Sequence, residues 1–422
     1  MTGAPAGVGV IVDAYSTGRH LAGAFARHGI GVHHVQSMPE ILEFDRPSFR
    51  PGDFVRNHVH RGAVADLVEA LRPLAPRFVI PGCESGVLLA DRLAEALDLP
   101  GNGTALSAAR RDKATMAEAV AAAGLRTIRH LATDDAGAAV DWRRAQGLAE
   151  VVVKPTNSAG TEDLYFCADE AAIGRAIGSI LGKTNAMGEI NRQALVQERI
   201  RGRQLTANTV SCGGRHYLAE LWTYHTVEVP GAGSLCEHER LLDGADPAAD
   251  AIRPYLFAVL DALGIVEGPA HCELFVDGAG PVLIELGARM QGSMSRTARH
   301  KALGHEHVAL TARRYADPDG FMAYAAANDP YRRRRHALIA SILSGRSGRV
   351  RGHSGLATIR GLPSFADAFG FPEPGERLAE SRDLASTAGI VYLVHEDPAV
   401  LDRDWRVLKS APIDALLDLA PA

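Results

Sequence analysis

Two acids set in adjoining apolar runs constrain this chain more than any other feature. Residues 269–276 (PAHCELFV) and 281–289 (PVLIELGAR) flank the segment DGAG, a pattern that predicts two neighbouring strands joined by a short reversal. Glu273 lies in the first run and Glu285 in the second. A lone carboxylate in an apolar strand is expensive unless something cationic meets it. Two facing acids point to a divalent metal held by oxygen ligands, and Arg289 nearby points to further negative charge such as phosphate. An enzyme that moves a phosphoryl group from ATP needs that arrangement.

The 422 residues, 46 % hydrophobic and 23 % charged, suffice for two to four domains with ample core. A net charge of -5 argues against general nucleic-acid binding, and the basic run 332–335 reads as a solvated linker or helix end. Five cysteines show neither CxxC spacing nor a disulfide framework, so reduced thiols and a cytoplasmic setting are expected. No export signal is visible, and the apolar runs are too short to cross a bilayer. Lysine is scarce, with five against 40 arginines, so each lysine is a candidate for a place that needs a compact ammonium.

The N-terminal part alternates strand and helix. Strands are expected over 8–12, 31–35 and 77–80, with helices over 19–28, 64–71 and 88–97. This alternation implies a parallel, Rossmann-like sheet with its crevice at the strand C-terminal ends. No GxGxxG follows the first strand, so dinucleotide binding is not supported. A long helix is expected over 106–123. Strands over 151–155 and 164–167 flank a Gly/Ser/Thr-rich tip whose unobstructed N–H groups can fold over a ligand. A strand over 194–197, antiparallel strands within 205–222, an irregular excursion over 225–250 and helices over 254–263 and 297–315 follow. Beyond residue 330, strands over 337–343 and up to residue 360 suggest a small α+β module.

Taken in order, these features resemble the ATP-grasp superfamily, and within it the L-amino acid ligases and related carboxylate–amine ligases. The residues that carry the resemblance are Arg111-Asp112-Lys113, the run 152–155 (VVKP) with its loop, the run 196–202 (VQERIRG), and Glu273, Glu285 and Arg289. The matching stretch runs from residue 81 to 318. The resemblance implies an α/β and α+β multidomain chain. A Rossmann-like preATP-grasp domain (1–108) precedes a lid (109–195), a C-lobe with the Mg²⁺ site (196–330) and a C-terminal α+β subdomain (331–422). ATP would lie between two antiparallel sheets. The implied reaction joins a small-molecule carboxylate to an amine through an acyl phosphate, releasing ADP and phosphate. Mg²⁺, with Mn²⁺ as a substitute, would serve as cofactor, and a homodimer is expected.

The same resemblance assigns roles. Lys113 and Lys154 would hold phosphates, and Ser158, Ala159, Gly160 and Thr161 would close over them; exposed helix lysine and plain hairpin tip are the bland alternatives. Gln197, Glu198 and Ile200 match the hinge that reads adenine, and Gln204 stands where the family places an acid for the ribose. Glu273 and Glu285 match the metal ligands. Gly287 replaces a frequent third ligand, in the Glu-x-Gly-x-Arg form common in amino-acid-ligase-like members. Arg289 would contact the moving phosphoryl group, or pair with one of the two glutamates. Ser293, small at a pocket position, reads as room for an acid larger than alanine. Glu84 is either an acid facing the amine or a loop acid. His271 either lines the substrate site or packs in the core. Ser16, Thr17 and Gly18 sit at a sheet-end loop, while His305 and His307 have no assigned partner. The rival reactions are a carboxylase or carboxylate kinase with a non-amine acceptor, and a non-catalytic nucleotide-binding scaffold.

Overall fold

The computed structural model describes residues 7–158, 160–229, 233–384 and 386–420. Its first sheet contains β1 (Gly7–Val12), β2 (Ile30–Gln36), β3 (Asn57–Val59) and β4 (Val79–Pro81), parallel in the order β3-β2-β1-β4. A parallel strand is covered on both faces, which is why β1 reads as an uninterrupted apolar run; Val10, Ile11 and Val12 are fully buried. The loops at the C-terminal ends of β1 and β4 press together. A Cβ on Gly82 would lie 2.5 Å from the Asp13 carbonyl oxygen and 2.6 Å from Ala14 Cα, so only glycine permits the approach that brings Glu84 to the sheet edge.

The expected helix over 106–123 forms only from Lys113 to Ala122, because Asp112 caps it: its Oδ1 accepts from the amides of Ala114 (3.0 Å) and Thr115 (2.9 Å). An aspartate is worth more at a helix N-terminus than inside one. Residues 104–111 are turns instead. The cap places Lys113 at the first helical position, where its amide donates to the Thr156 carbonyl at 3.0 Å.

A second sheet holds β5 (His130–Thr133), β6 (Val151–Pro155), β7 (Tyr165–Cys167) and β8 (Ala194–Glu198), antiparallel in the order β5-β8-β6-β7. Val151 and Val153 join Ile173 and Ile177 in the core beneath two helices. Strand alternation therefore turns Lys154 to the opposite face.

The third sheet has eight antiparallel strands in the order β13-β12-β9-β10-β11-β14-β18-β16. They are β9 (Arg203–Cys212), β10 (Arg215–Val229), β11 (Gly233–Leu241), β12 (Gly268–Asp277), β13 (Gly280–Gly287), β14 (His336–Ile342), β16 (Phe365–Phe369) and β18 (Gly389–His395). A small fourth sheet joins β15 (Gly348–Gly352), β17 (Arg377–Leu378) and β19 (Asp418–Ala420). The C-terminal residues thus extend the large sheet by three strands as well as forming a sheet of their own.

Several expected elements are corrected. The irregular excursion over 225–250 is largely strand: residues 222–229 pair with 233–241 across a bulge at His225/Thr226, while residues 230–232 lie outside the described residues. A half-polar hairpin with no strict alternation gives a weak periodic signal. The helix expected from residue 254 starts at Pro247, capped by Asp246, and carries Pro254 inside it. The helix over 297–315 divides into Arg296–Leu303 and His307–Ala316 at Gly304, whose φ of 82° is the left-handed C-terminal stop. The stretch up to residue 360 is strand only at β15, then helix Leu356–Arg360.

Because the Asp112 cap fixes where Lys113 emerges, Asp112→Ala is expected to cost about 1 kcal/mol of stability, read as a lowered urea midpoint. An unchanged midpoint would show that the cap is not needed.

Candidate active site

Glu273 and Glu285 stand directly opposite each other in the β12–β13 pair. Alternation buries Cys272 and Leu274 in the core and turns Glu273 to the cleft face. A register shift follows Glu273, a bulge of the kind that re-aims side chains. Both carboxylates stay about one-quarter open, at 25 % and 26 %. Cross-strand carboxylates repel at such spacing, and the neighbouring cations offset this. Lys113 Nζ lies 2.9 Å from Glu285 Oε2 and donates to the Ser158 carbonyl at 2.8 Å. Lys154 is buried. Burial, aided by Lys113, pushes its ammonium down to about 8 against the opposing pull of Glu285 and Glu273. Burial would raise Glu285, but Lys113 and Lys154 outweigh it and hold the carboxyl below its ordinary value. The described residues form no group of three or more His, Cys, Asp and Glu side chains able to cage a metal. An ion held by this pair must complete its shell with water and ligand oxygens, the habit of Mg²⁺ rather than of Zn²⁺. The donor set fits.

Arg289 does not pair with Glu273 or Glu285, as one expectation had it. Its Nε donates to Glu84 Oε2 at 2.6 Å, while Arg111 Nη1 holds the other Glu84 oxygen. Burial alone would raise the Glu84 carboxyl; Arg289, Arg111 and then Lys113 overcome it and hold the group at about 2. Both oxygens of Glu84 are therefore engaged by guanidinium groups, so in this arrangement it orients Arg289 rather than standing free for an amine. Gly287 makes this possible. A Cβ there would lie 2.9 Å from Arg289 Cζ and 3.0 Å from Glu84 Oε2.

In the loop between β6 and β7, Gly160 and Thr161 both adopt positive φ (72° and 62°), and Gly160 O accepts from the Leu384 amide at 3.1 Å. Ser158 Oγ bonds to Glu162. Ala159 lies outside the described residues. Gln197 is buried in β8. The Glu198 carboxylate is taken by Arg129, whose amide and Nε donate at 3.1 and 2.8 Å, and the Glu198 amide in turn donates to the Arg129 carbonyl at 3.0 Å. Gln204 reaches Glu273 Oε2 only weakly, at 3.4 Å.

His271 Nδ1 donates to Asn208 Oδ1 at 2.8 Å, and its Nε2 lies 3.7 Å from Glu273. Ser293 has φ 50°; its carbonyl accepts from the Tyr392 hydroxyl at 2.9 Å, and its amide donates to Ser16 Oγ at 3.4 Å. Met294 N donates to Thr17 Oγ1 at 3.2 Å. The Ser16–Thr17 loop is thereby tied to the connection after Arg289. His305 and His307 are structural: their Nε2 atoms donate to the carbonyls of Ala219 (2.8 Å) and Thr209 (2.9 Å).

Sequence reasoning gave no role to a buried polar chain beyond His271. Asn208 Nδ2 donates to Glu220 Oε1 at 2.7 Å and to Gln291 Oε1 at 2.9 Å. Arg299, fully buried, donates to the same two residues. The available signal was polar residues at inward positions of β9 and β10, legible only once the register is known.

No family model matches the sequence. The chain is 31 % identical over 411 residues to dapdiamide A synthase of Enterobacter agglomerans, covering 96 % of both chains. Its fold superposes on an L-amino acid ligase from Bacillus licheniformis with a TM-score of 0.73 at 19 % identity (96 % of this chain, 97 % of that one). A carboxyaminoimidazole ribonucleotide synthase from Aspergillus clavatus, complexed with ATP, gives 0.68 at 13 % identity (97 % and 98 %). The parallel N-terminal sheet followed by two antiparallel sheets is the fold shared with these enzymes. The chain belongs to the ATP-grasp superfamily of carboxylate–amine ligases and is an ATP-dependent ligase that forms a carbon–nitrogen bond.

The Glu84 clamp makes a pH-dependent contribution. With its folded value held near 2, below the ordinary carboxylate value, this stabilisation is complete above the ordinary range and is lost as pH falls toward about 2. Glu84→Gln should therefore lower the denaturation midpoint most at neutral pH, with the gap to wild type closing in acid. A gap independent of pH would contradict the ionised clamp. Gly287→Ala should displace Arg289 and depress turnover at least about tenfold, with little change in nucleotide affinity by calorimetry.

Proposed function

We propose that the enzyme activates a small carboxylic acid, an amino acid or a close relative, as its acyl phosphate and delivers it to the amino group of a second amino acid. The observation that carries this reading is the convergence of Glu273, Glu285, Lys113, Lys154 and Arg289 on one cleft between the lid and the large sheet. The similarity to dapdiamide A synthase and the fold likeness to an L-amino acid ligase support an amide or dipeptide product of specialised metabolism.

Each residue has a task in this reading. Glu273 and Glu285 hold Mg²⁺, for which Mn²⁺ can substitute; the metal supplies charge neutralisation at the phosphates and at the group being transferred. Lys113 exchanges its Glu285 partner for phosphate oxygen, and Lys154 adds a second ammonium from the lid. Ser158 to Thr161 close over the phosphates. Gln197, Glu198 and Ile200 present backbone groups to the adenine, and Gln204 bonds the ribose more weakly than an acid would. The acid's carboxylate oxygen attacks the terminal phosphorus, ADP leaves, and Arg289, oriented by Glu84, stabilises the negative charge that builds on the acyl centre. Gly287 and Ser293 leave room for the acid, and His271 steadies Glu273 through the Asn208 network.

We further read residues 1–108, 109–195, 196–330 and 331–422 as the sheet-edge, lid, metal-bearing and closing parts of one machine. Five cysteines without disulfides fit a cytoplasmic setting, and no described helix is long and apolar enough to cross a membrane. A homodimer is the expected assembly.

Phosphate release from ATP, screened against pairs of amino acids, should require both an acid and an amine, and Glu285→Gln should lower it at least about 100-fold. Turnover with the acid alone, or dependence on bicarbonate, would favour a carboxylate kinase or carboxylase instead.

A further inference from the structure

Glu239 of β11 is a buried carboxylate without a task in the reaction described. It pairs with Tyr224 of β10 and Ile339 of β14, and the row continues through Tyr392 of β18 to Asp367 of β16. Thr206, directly opposite Glu273, donates its hydroxyl to Glu239 Oε2 at 3.0 Å, so Glu239 and Glu273 share one face of the sheet. The connection from Arg289 to the helix Arg296–Leu303 is pinned to this same row. The Tyr392 hydroxyl donates to Ser293 O at 2.9 Å, and Ser295 Oγ to Asp367 Oδ2 at 2.5 Å.

Among the described residues Glu239 has no ion-pair partner in contact, and Arg299 acts on it only from further away. The nearby Arg299 is already bonded to Glu220 and Gln291, and Thr206 supplies the single hydrogen bond found to Glu239 among the described residues. Yet the residue keeps 6 % of its surface open. A half-bonded, buried carboxylate is costly to keep beside two other acids, and a bound cation would relieve that cost.

We propose that Glu239 receives the amine substrate, holding its ammonium and then taking one proton so that nitrogen can attack. The neutral amine forms the C–N bond, the C–O bond to phosphate breaks, and phosphate leaves with the electron pair and the second nitrogen proton. This rests on the ligase reading. Burial raises the Glu239 carboxyl to about 7; Arg299 and Thr206 pull it down, while Glu273 and Glu220 push it up. That value nearly matches an α-amino group, whose ordinary pKa is about 7.7–8.0, and matched partners exchange protons best. The other titratable groups around it, Tyr224, Cys236 and Tyr392, are all pushed up by burial and keep their protons near neutrality.

The test uses the full-length enzyme with ATP and an acid–amine pair found by the phosphate-release screen. Hydroxylamine, uncharged near pH 7, traps the acyl phosphate as a hydroxamate without surrendering an ammonium proton. For Glu239→Gln, hydroxamate formation should stay within about twofold of wild type while kcat/KM for the amine falls about 100-fold or more. Wild-type kcat/KM for the amine should rise through pH 7. Thr206→Val, which removes the hydroxyl that favours the carboxylate, should move that rise to higher pH. An unchanged amide rate in Glu239→Gln, or equal loss of hydroxamate and amide, overturns the proposal. Failure of the wild type to form any hydroxamate defeats the ligase reading and this assignment together.

Discussion

Electrostatic repulsion between Glu273 and Glu285 is the constraint around which the structure is arranged. Facing carboxylates on adjacent strands are tolerated only where cations converge from elsewhere, and here they come from separate parts of the chain. Lys113 arrives on a helix whose start is fixed by Asp112, and Lys154 from the opposite side of a strand whose valines fill the core of the second sheet. Neither lysine is near the glutamates in sequence. The loop after β6 and the large sheet are therefore tied by charge, with Lys113 Nζ bridging Glu285 and the Ser158 carbonyl.

The second charge cluster is built differently. Glu84, Arg111 and Arg289 come from the loop after β4, the turn before the helix that starts at Lys113, and the segment just after β13, and form a clamp in which each Glu84 oxygen meets a guanidinium. Two glycines provide its geometry: Gly82 allows the loop approach that presents Glu84, and Gly287 leaves the space that Arg289 crosses. The two clusters are adjacent, so a substrate carboxylate near Arg289 would also lie near a metal held by the two glutamates.

Much of this was legible in the sequence because the signals are local. An acid in each of two apolar runs, a lysine between valines and a proline, and strand–helix alternation at the start all translate directly into elements. The C-terminal stop at Gly304 and the cap at Asp112 were equally local, yet the periodic reading ran through both, since alanine-rich and amphipathic stretches mask a break. Partnerships were not legible. Arg289 meets Glu84 across 205 residues, and the Glu220–Arg299–Asn208 network depends on the registers of β9, β10 and β12, which no one-dimensional pattern encodes. The β10–β11 hairpin escaped because its outer end has no continuous buried face.

In the proposed reaction the opposed glutamates hold the metal of a bound nucleotide, and Lys113 changes partner when it arrives. A crystal structure of the enzyme with MgADP tests this most directly. A metal is expected about 2.0–2.1 Å from oxygens of both Glu273 and Glu285, with Lys113 Nζ withdrawn from Glu285 onto a phosphate. A metal bound elsewhere, or a Lys113–Glu285 contact left intact beside the nucleotide, would contradict that assignment.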